Sequence, residues 1–207
     1  MKDFKLYAIT GEQFHPGRSM VEVMEEAILG GVDIVQLRDK SGDKAAILEK
    51  AKLLRELTLR YGVTFIVNDH IDIALESEAD GIHLGQDDVP LPEARKLVGE
   101  KIIGISTHAI GEALLAERQG ADYIGVGPIY PTATKADVVD PVTVNYIREV
   151  VQQVKIPFVA IGGIKLNNVD EVIAAGATRI CAVSEIVGSA DVRGVCEAFI
   201  RKLEKGL

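Results

Sequence analysis

Eight short β-type runs, each followed by a helical pattern, recur along the 207 residues and restrict the chain to a few architectures. The runs are "KLYAIT" (5–10), "DIVQLRDK" (33–40), "TFIVND" (64–69), "GIHLG" (81–85), "IIGIST" (102–107), "YIGVGP" (123–128), "PFVAIGG" (157–163) and "RICAVSEI" (179–186). Between them the spacing is helical. In "AAILEKAKLLRELTLRYG" the apolar Ile47, Leu48, Ala51, Leu54 and Leu57 fall on one face, and Gly62 follows. "GEALLAERQGA" and "VDEVIAAGA" both close on Gly-Ala just before the next run, which suits a glycine past the last turn in the left-handed conformation. Strict β/α alternation with Val- and Ile-rich runs implies a buried parallel sheet. Eight units in about 200 residues predict a compact (β/α)8 TIM barrel as one domain over 1–207. The competing doubly wound sheet is weakened because no G-x-G-x-x-G follows the first run.

Composition narrows the function. The chain is 47% hydrophobic and 26% charged, as in an ordinary soluble globular protein. Its 23 Lys and Arg against 31 Asp and Glu leave a net charge of −8, which disfavours nucleic acid or an anionic membrane as the main partner. An anion must therefore be bound by a local cluster of cations. Cys181 and Cys196 fit neither a disulfide framework nor a metal spacing, and read as buried free thiols in a reducing cytoplasm. "MKDFKLYAIT" is too short and polar for a signal peptide, and no apolar stretch reaches the length of a bilayer span. The oligomeric state stays open, a homo-oligomer included.

In a TIM barrel the chemistry lies at the C-terminal strand ends. The second run ends in Gln36, Leu37, Arg38, Asp39 and Lys40; period two places Gln36, Arg38 and Lys40 on one face. That set reads either as a grip on a phosphate chain or as a solvated strand end. The third run ends in Asn68-Asp69 and the fourth in Gln86-Asp87-Asp88. Asp69 and Asp88 fit the sparse carboxylate set of Mg²⁺, or else cap the helices that follow. His83 reads as a hydrogen-bonded residue within its strand. Ser106 offers a hydroxyl to a ligand or caps the next helix. "GPIYPTATK" (127–135) brings Thr132, Thr134 and Lys135 to a chain bend, and "AIGGI" and "VSEI" place Gly163 and Ser184 where phosphate-binding barrels build their cradle. Two anion sites, a metal-bridged diphosphate beside a monophosphate, suit a transferase that releases diphosphate.

Taken in order, "QLRDK", "VNDHIDIALESEADGIHLGQDD", "GPIYPTATK" and "AIGGI" resemble the thiamine-phosphate synthase family over essentially the whole chain. The resemblance implies a (β/α)8 barrel that joins the diphosphate of 4-amino-5-hydroxymethyl-2-methylpyrimidine to 4-methyl-5-(2-phosphoethyl)thiazole, or its carboxylated form, with Mg²⁺ as cofactor. Diphosphate leaves first and the thiazole nitrogen captures the pyrimidine-methyl cation. By the same resemblance Gln36, Arg38, Lys40, Asn68, Ser106 and Lys135 hold the pyrimidine diphosphate, with Arg38, Lys40 and Lys135 stabilising the leaving group. Thr132, Ala133, Thr134, Gly163, Val183 and Ser184 contact the thiazole phosphate, and Asp69 and Asp88 hold the metal. The rivals are a thiazole tautomerase on the same barrel, a non-catalytic phosphate-ligand binder, and another phosphate barrel. Three departures stand out: "ADVVDPVTVNYI" carries no glycine before the sixth helix, Glu185 replaces a small residue, and Cys181 stands among small core residues. Strand alternation is expected to turn Glu185 outward, away from the phosphate.

Overall fold

The computed structural model describes residues 2–132 and 140–206. Eight parallel strands close into a barrel in chain order: β1 (Leu6–Ile9), β2 (Ile34–Leu37), β3 (Thr64–Asn68), β4 (Gly81–Leu84), β5 (Ile102–Thr107), β6 (Tyr123–Val126), β7 (Phe158–Ile161) and β8 (Ile180–Ala182). The ring is sealed where β1 pairs with β8, Tyr7 opposite Cys181. Around it lie α1 (Met20–Leu29), α2 (Lys44–Tyr61), α3 (Ile71–Glu76), α4 (Leu91–Val98), α5 (Ile110–Gln119), α6 (Thr143–Gln153), α7 (Val169–Ala174), α8 (Ser184–Val187) and α9 (Val192–Lys205). The expected barrel is thus what forms.

Period-two alternation sorts each strand into an outward and an inward set. Leu6 and Ala8, Val35 and Leu37, Phe65 and Val67, and Ile82 and Leu84 pack outward with the helices. Tyr7, Ile9, Ile34, Ile66, Tyr123, Val159 and Cys181 form a separate inner cluster with Phe4. Glycine creates space inside: a Cβ on Gly104 would lie 2.1 Å from the Tyr123 ring, so the ring crosses the barrel only because residue 104 has no side chain. The helix signals behave as expected. Asp43 accepts a hydrogen bond from Ala46 N at 3.1 Å to start α2, and Gly62 ends it at φ +67°. Ile47, Ala51, Leu54 and Leu57 are its buried face. Cys181 and Cys196 are both buried.

One expectation is corrected. The eighth run does not continue as a strand to residue 186: β8 stops at Ala182, and residues from Ser184 turn into α8. Glu185 therefore is not oriented by strand alternation. Its Oε1 instead accepts from Leu166 N at 3.2 Å, tying α8 to the turn after β7.

Candidate active site

A cavity opens at the C-terminal ends of the strands. Of the residues predicted for the site, Gln36, Arg38, Asn68, Ser106, Thr132, Gly163, Val183 and Ser184 line it. They come from β2 and the residue just past it, from β3 and β5, and from the segments after β6, β7 and β8. Glu185 is absent from that lining, so no carboxylate from α8 opposes an anion there. Lys40, Asp69 and Asp88 are not lining residues of this cavity. Lys40 lines a neighbouring polar groove that shares Arg38. Ala133, Thr134 and Lys135 lie outside the described residues.

Arg38 is held by its backbone and left open at its tip. Its N–H donates to Thr10 Oγ1 at 2.9 Å, and Thr10 Oγ1 donates back to the Arg38 carbonyl at 3.2 Å. Among the described residues its guanidinium forms no hydrogen bond or ion pair. That leaves all five of its donors for a ligand. In the groove beside it, Lys50 bridges Glu12 at 2.6 Å and Asp39 at 2.8 Å. Burial pushes the Asp39 carboxyl up, but the Lys50 ammonium and the Ser41 N–H outweigh it and hold the group below its ordinary value. Asp39 is thus occupied locally and leaves Arg38 unpaired.

Asp69 follows the last residue of β3 with φ +61°, and His70 N donates across it to Asn68 O at 2.7 Å. This is a γ-turn of the rarer, strained hand. Lys40 Nζ pairs with Asp69 Oδ2; the lysine side chain is 57% exposed and the aspartate 16%. Asp88 Oδ2 accepts from Gly85 N at 2.6 Å, closing the turn after β4. Neither carboxylate caps the following helix, since the first residues of α3 and α4 receive no side-chain cap. Ser106 does not cap α5 either. Its Oγ lies 2.9 Å from His83 Nε2, and its carbonyl accepts from Gln86 Nε2 at 2.6 Å.

The opening of the "GPIYPTATK" segment is fixed against the turn after β7. Ile129 N donates to Ile161 O and Tyr130 N to Gly162 O, both at 3.0 Å. Tyr130 Oη donates to Glu171 Oε2 at 2.7 Å. Gly162 and Gly163 have φ +98° and +64°. A Cβ on Gly163 would stand 2.6 Å from Pro131 O, so here a tight turn and a close backbone approach are the same feature. Asn168 fastens the turn from the other side, donating to Gly163 O at 3.0 Å and accepting from Lys165 N at 2.8 Å.

The cavity also has walls that the sequence reading did not assign. Tyr7, Thr10, His83, His108 and Lys165 line it. Tyr7 had a signal, since period two puts it on the same face as Ile9, but an aromatic in an apolar run reads as core. Lys165 also had one: "GGIK" carries a cation two residues past Gly163.

Comparison with known proteins gives one answer. The family model described as thiamine monophosphate synthase matches residues 6–186. Thiamine-phosphate synthase of Halalkalibacterium halodurans is 65% identical, covering 99% of this chain and 98% of its own length. The Shouchella clausii thiamine-phosphate synthase is also 65% identical, over 99% of both chains. Among solved structures, thiamine phosphate pyrophosphorylase from Pyrococcus furiosus superposes with a TM-score of 0.90 at 38% identity, covering 99% of this chain and 97% of its own. A 3-hexulose-6-phosphate synthase at 16% identity and a TM-score of 0.67 shares the barrel alone. The chain belongs to the thiamine monophosphate synthase family, transferases of thiamine biosynthesis.

Proposed function

We propose that the chain joins 4-amino-2-methyl-5-(diphosphooxymethyl)pyrimidine to 4-methyl-5-(2-phosphoethyl)thiazole, or its carboxylated form, giving thiamine phosphate and diphosphate, and also CO2 from the carboxylated form. The observation that carries this reading is the unpaired Arg38 guanidinium in a cavity whose other wall is the Gly162-Gly163 turn, so two anion-binding elements face one space. In the reaction the bond between the pyrimidine methylene carbon and the diphosphate oxygen breaks, and its electron pair leaves with diphosphate. The thiazole nitrogen lone pair then forms the new C–N bond. With the uncarboxylated thiazole no proton is transferred; with the carboxylated form CO2 leaves its electron pair on the ring carbon, which takes a proton from solvent. No protein nucleophile is required. Arg38, Lys40 and Lys135 stabilise the charge growing on the leaving oxygen. Gln36, Asn68 and Ser106 hold the pyrimidine. Thr132, Ala133, Thr134, Gly163, Val183 and Ser184 hold the thiazole phosphate in attacking position.

The residues at the ends of β3 and β4 fit Mg²⁺. Both groups are hard carboxylate oxygens, and Asp88 has one oxygen engaged by Gly85 N and one left over. Among the described residues no group of three or more His, Cys, Asp or Glu could hold a metal ion. A two-carboxylate site completed by water and substrate oxygens is the ordinary Mg²⁺ pattern. Asp69 and Asp88 would hold the ion, which when bound supplies neutralisation of the diphosphate oxygens. Lys40, largely exposed, is free to exchange the Asp69 carboxylate for a diphosphate oxygen. Two cysteines whose spacing fits no disulfide framework support a reducing, cytoplasmic setting, and among the described residues no helix is long and apolar enough to cross a membrane.

The test is turnover of both substrates with Mg²⁺ titrated, in the wild type and in Asp69→Asn and Asp88→Asn. Thiamine phosphate should form only with the ion, and each variant should need at least about tenfold more of it. No product from folded protein beside an active control would overturn the reaction. Unchanged Mg²⁺ dependence in both variants would overturn the metal assignment.

A further inference from the structure

One buried polar chain crosses the barrel, and the reaction above uses only its two ends. Gln36 Nε2 donates to Tyr7 Oη at 2.6 Å. Tyr7 Oη and Tyr123 Oη are 2.9 Å apart. Tyr123 Oη lies 2.9 Å from His83 Nδ1, and His83 Nε2 lies 2.9 Å from Ser106 Oγ. The links come from β2, β1, β6, β4 and β5, so only the closed barrel assembles them. Gln36, Tyr7 and Tyr123 are at most 2% exposed. At that depth, polar groups are satisfied by one another or at a cost.

Burial, together with the neighbouring Tyr123, holds the Tyr7 phenol well above its ordinary value. Burial does the same for Tyr123. Both therefore stay as O–H groups, with one proton each. A neutral imidazole has one donor and one acceptor nitrogen. With a neutral His83 and each phenol proton donated within the chain, there are two orders. If Gln36 donates into Tyr7, Tyr7 donates to Tyr123 and Tyr123 to His83 Nδ1. His83 Nε2–H then donates to Ser106, whose own O–H points to a ligand. If Gln36 accepts from Tyr7, every link reverses and Ser106 becomes an acceptor.

We infer that this chain is a directional relay: Tyr7, Tyr123 and His83 are positioning residues that lock the polarity of the Gln36 amide to that of the Ser106 hydroxyl. Gln36 Nε2 donates to Tyr7, so the relay leaves Gln36 Oε1 as an acceptor and Ser106 as a donor. That pair complements a ring carrying an amino group and an unprotonated ring nitrogen. The reversed order complements an oxo group and a ring N–H. The relay thus selects an aminopyrimidine over its oxo analogue. The ligand part of this inference rests on the proposed function; the coupling itself does not.

The coupling is read without substrate. In Gln36→Glu, above the titration of the introduced carboxyl, the new group can only accept, and the relay must reverse. On the relay the ¹⁵N shifts of the His83 imidazole should change from the Nε2–H tautomer of the wild type to Nδ1–H, although two tyrosines stand between His83 and the substituted residue along the chain. Adding Tyr7→Phe should cut the relay and restore Nε2–H. An unmoved tautomer in Gln36→Glu overturns the relay, as does a change that persists with Tyr7→Phe. A second measurement covers a Gln36→Glu chain that does not fold. Tyr123→Phe should bind 4-amino-5-hydroxymethyl-2-methylpyrimidine about tenfold more weakly, the worth of roughly one buried hydrogen bond. It should bind inorganic diphosphate with Mg²⁺ as the wild type does. Loss of both affinities, or of neither, overturns the relay. A chain that makes no thiamine phosphate but switches tautomer sinks the proposed reaction and keeps the relay; normal turnover with an unmoved His83 does the reverse.

Discussion

Thr143, the first residue of α6, has φ +63°, and it is β-branched and exposed. Left-handed backbone costs an L-residue about 1–2 kcal/mol, and a branched Cβ is among the worst fitted to it. This is the segment in which the sequence lacks a glycine that the resemblance leads one to expect. The strained residue thus lies in the stretch where the sequence departs from the resemblance. Little compensates, since Thr143 Oγ1 accepts only a 3.3 Å bond from Asn145 N. Thr143→Gly should raise stability by about 1 kcal/mol after the added backbone entropy of glycine, or about 2–4 °C in Tm. Calorimetry showing a lower Tm would mean the position is not strained. Other residues were legible to differing degrees. Period two put Gln36, Arg38 and Lys40 on one face without separating a ligand grip from a solvated strand end; Gln36 and Arg38 line the cavity, and Lys40 lines the groove beside it. Asp69 and Asp88 could be found as strand-end carboxylates, but their present partners, Lys40 and Gly85 N, depend on neighbouring loops.

At the level of elements, all eight runs were legible as strands because β-branched residues cluster in short stretches closed by glycine or a helical pattern. The end of the eighth was not. "RICAVSEI" reads as continuous strand, yet the segment bends after Ala182 because Ile186 and Val187 are buried from α8, not from a strand. The turn after β7 shows the opposite case. Two adjacent glycines read either as room for a ligand or as a tight turn, and what stands against Gly163 in the structure is the chain itself, at Pro131 O and Tyr130 Cβ. Gly163→Ala should place a methyl against both and force φ +64° on a residue with a Cβ. The expected result is a loss of about 1–2 kcal/mol in stability. KM for the thiazole phosphate should rise about tenfold, with KM for the pyrimidine diphosphate little moved. Steady-state kinetics with each substrate varied separately checks this, and an equal rise in both would place Gly163 outside the thiazole side.

Over the whole molecule, α9 packs over α1 and the first strand of the closed barrel. It lies beyond residues 6–186, where the family match ends. Val192, Cys196, Phe199 and Leu203 are its buried face, and Cys196 Cβ would be 2.6 Å from a Cβ on Gly30, so α1 and α9 approach at a bare backbone. Phe199 is fully buried. Phe199→Ala should cost about 3–5 kcal/mol in urea unfolding while leaving both KM values unchanged in the folded protein. A loss under about 1 kcal/mol would show that α9 is not needed to cover the barrel. The sequence alone determined the alternation, the barrel and the strand-end residues that bear charge, because periodicity and burial are local properties of a chain. Only the tertiary structure decided which of those residues meet. The relay from Gln36 to Ser106, the Lys40–Asp69 pair and the Leu166–Glu185 tie each join residues far apart in sequence. Ring closure brings such residues within hydrogen-bonding distance, and no local pattern encodes that distance.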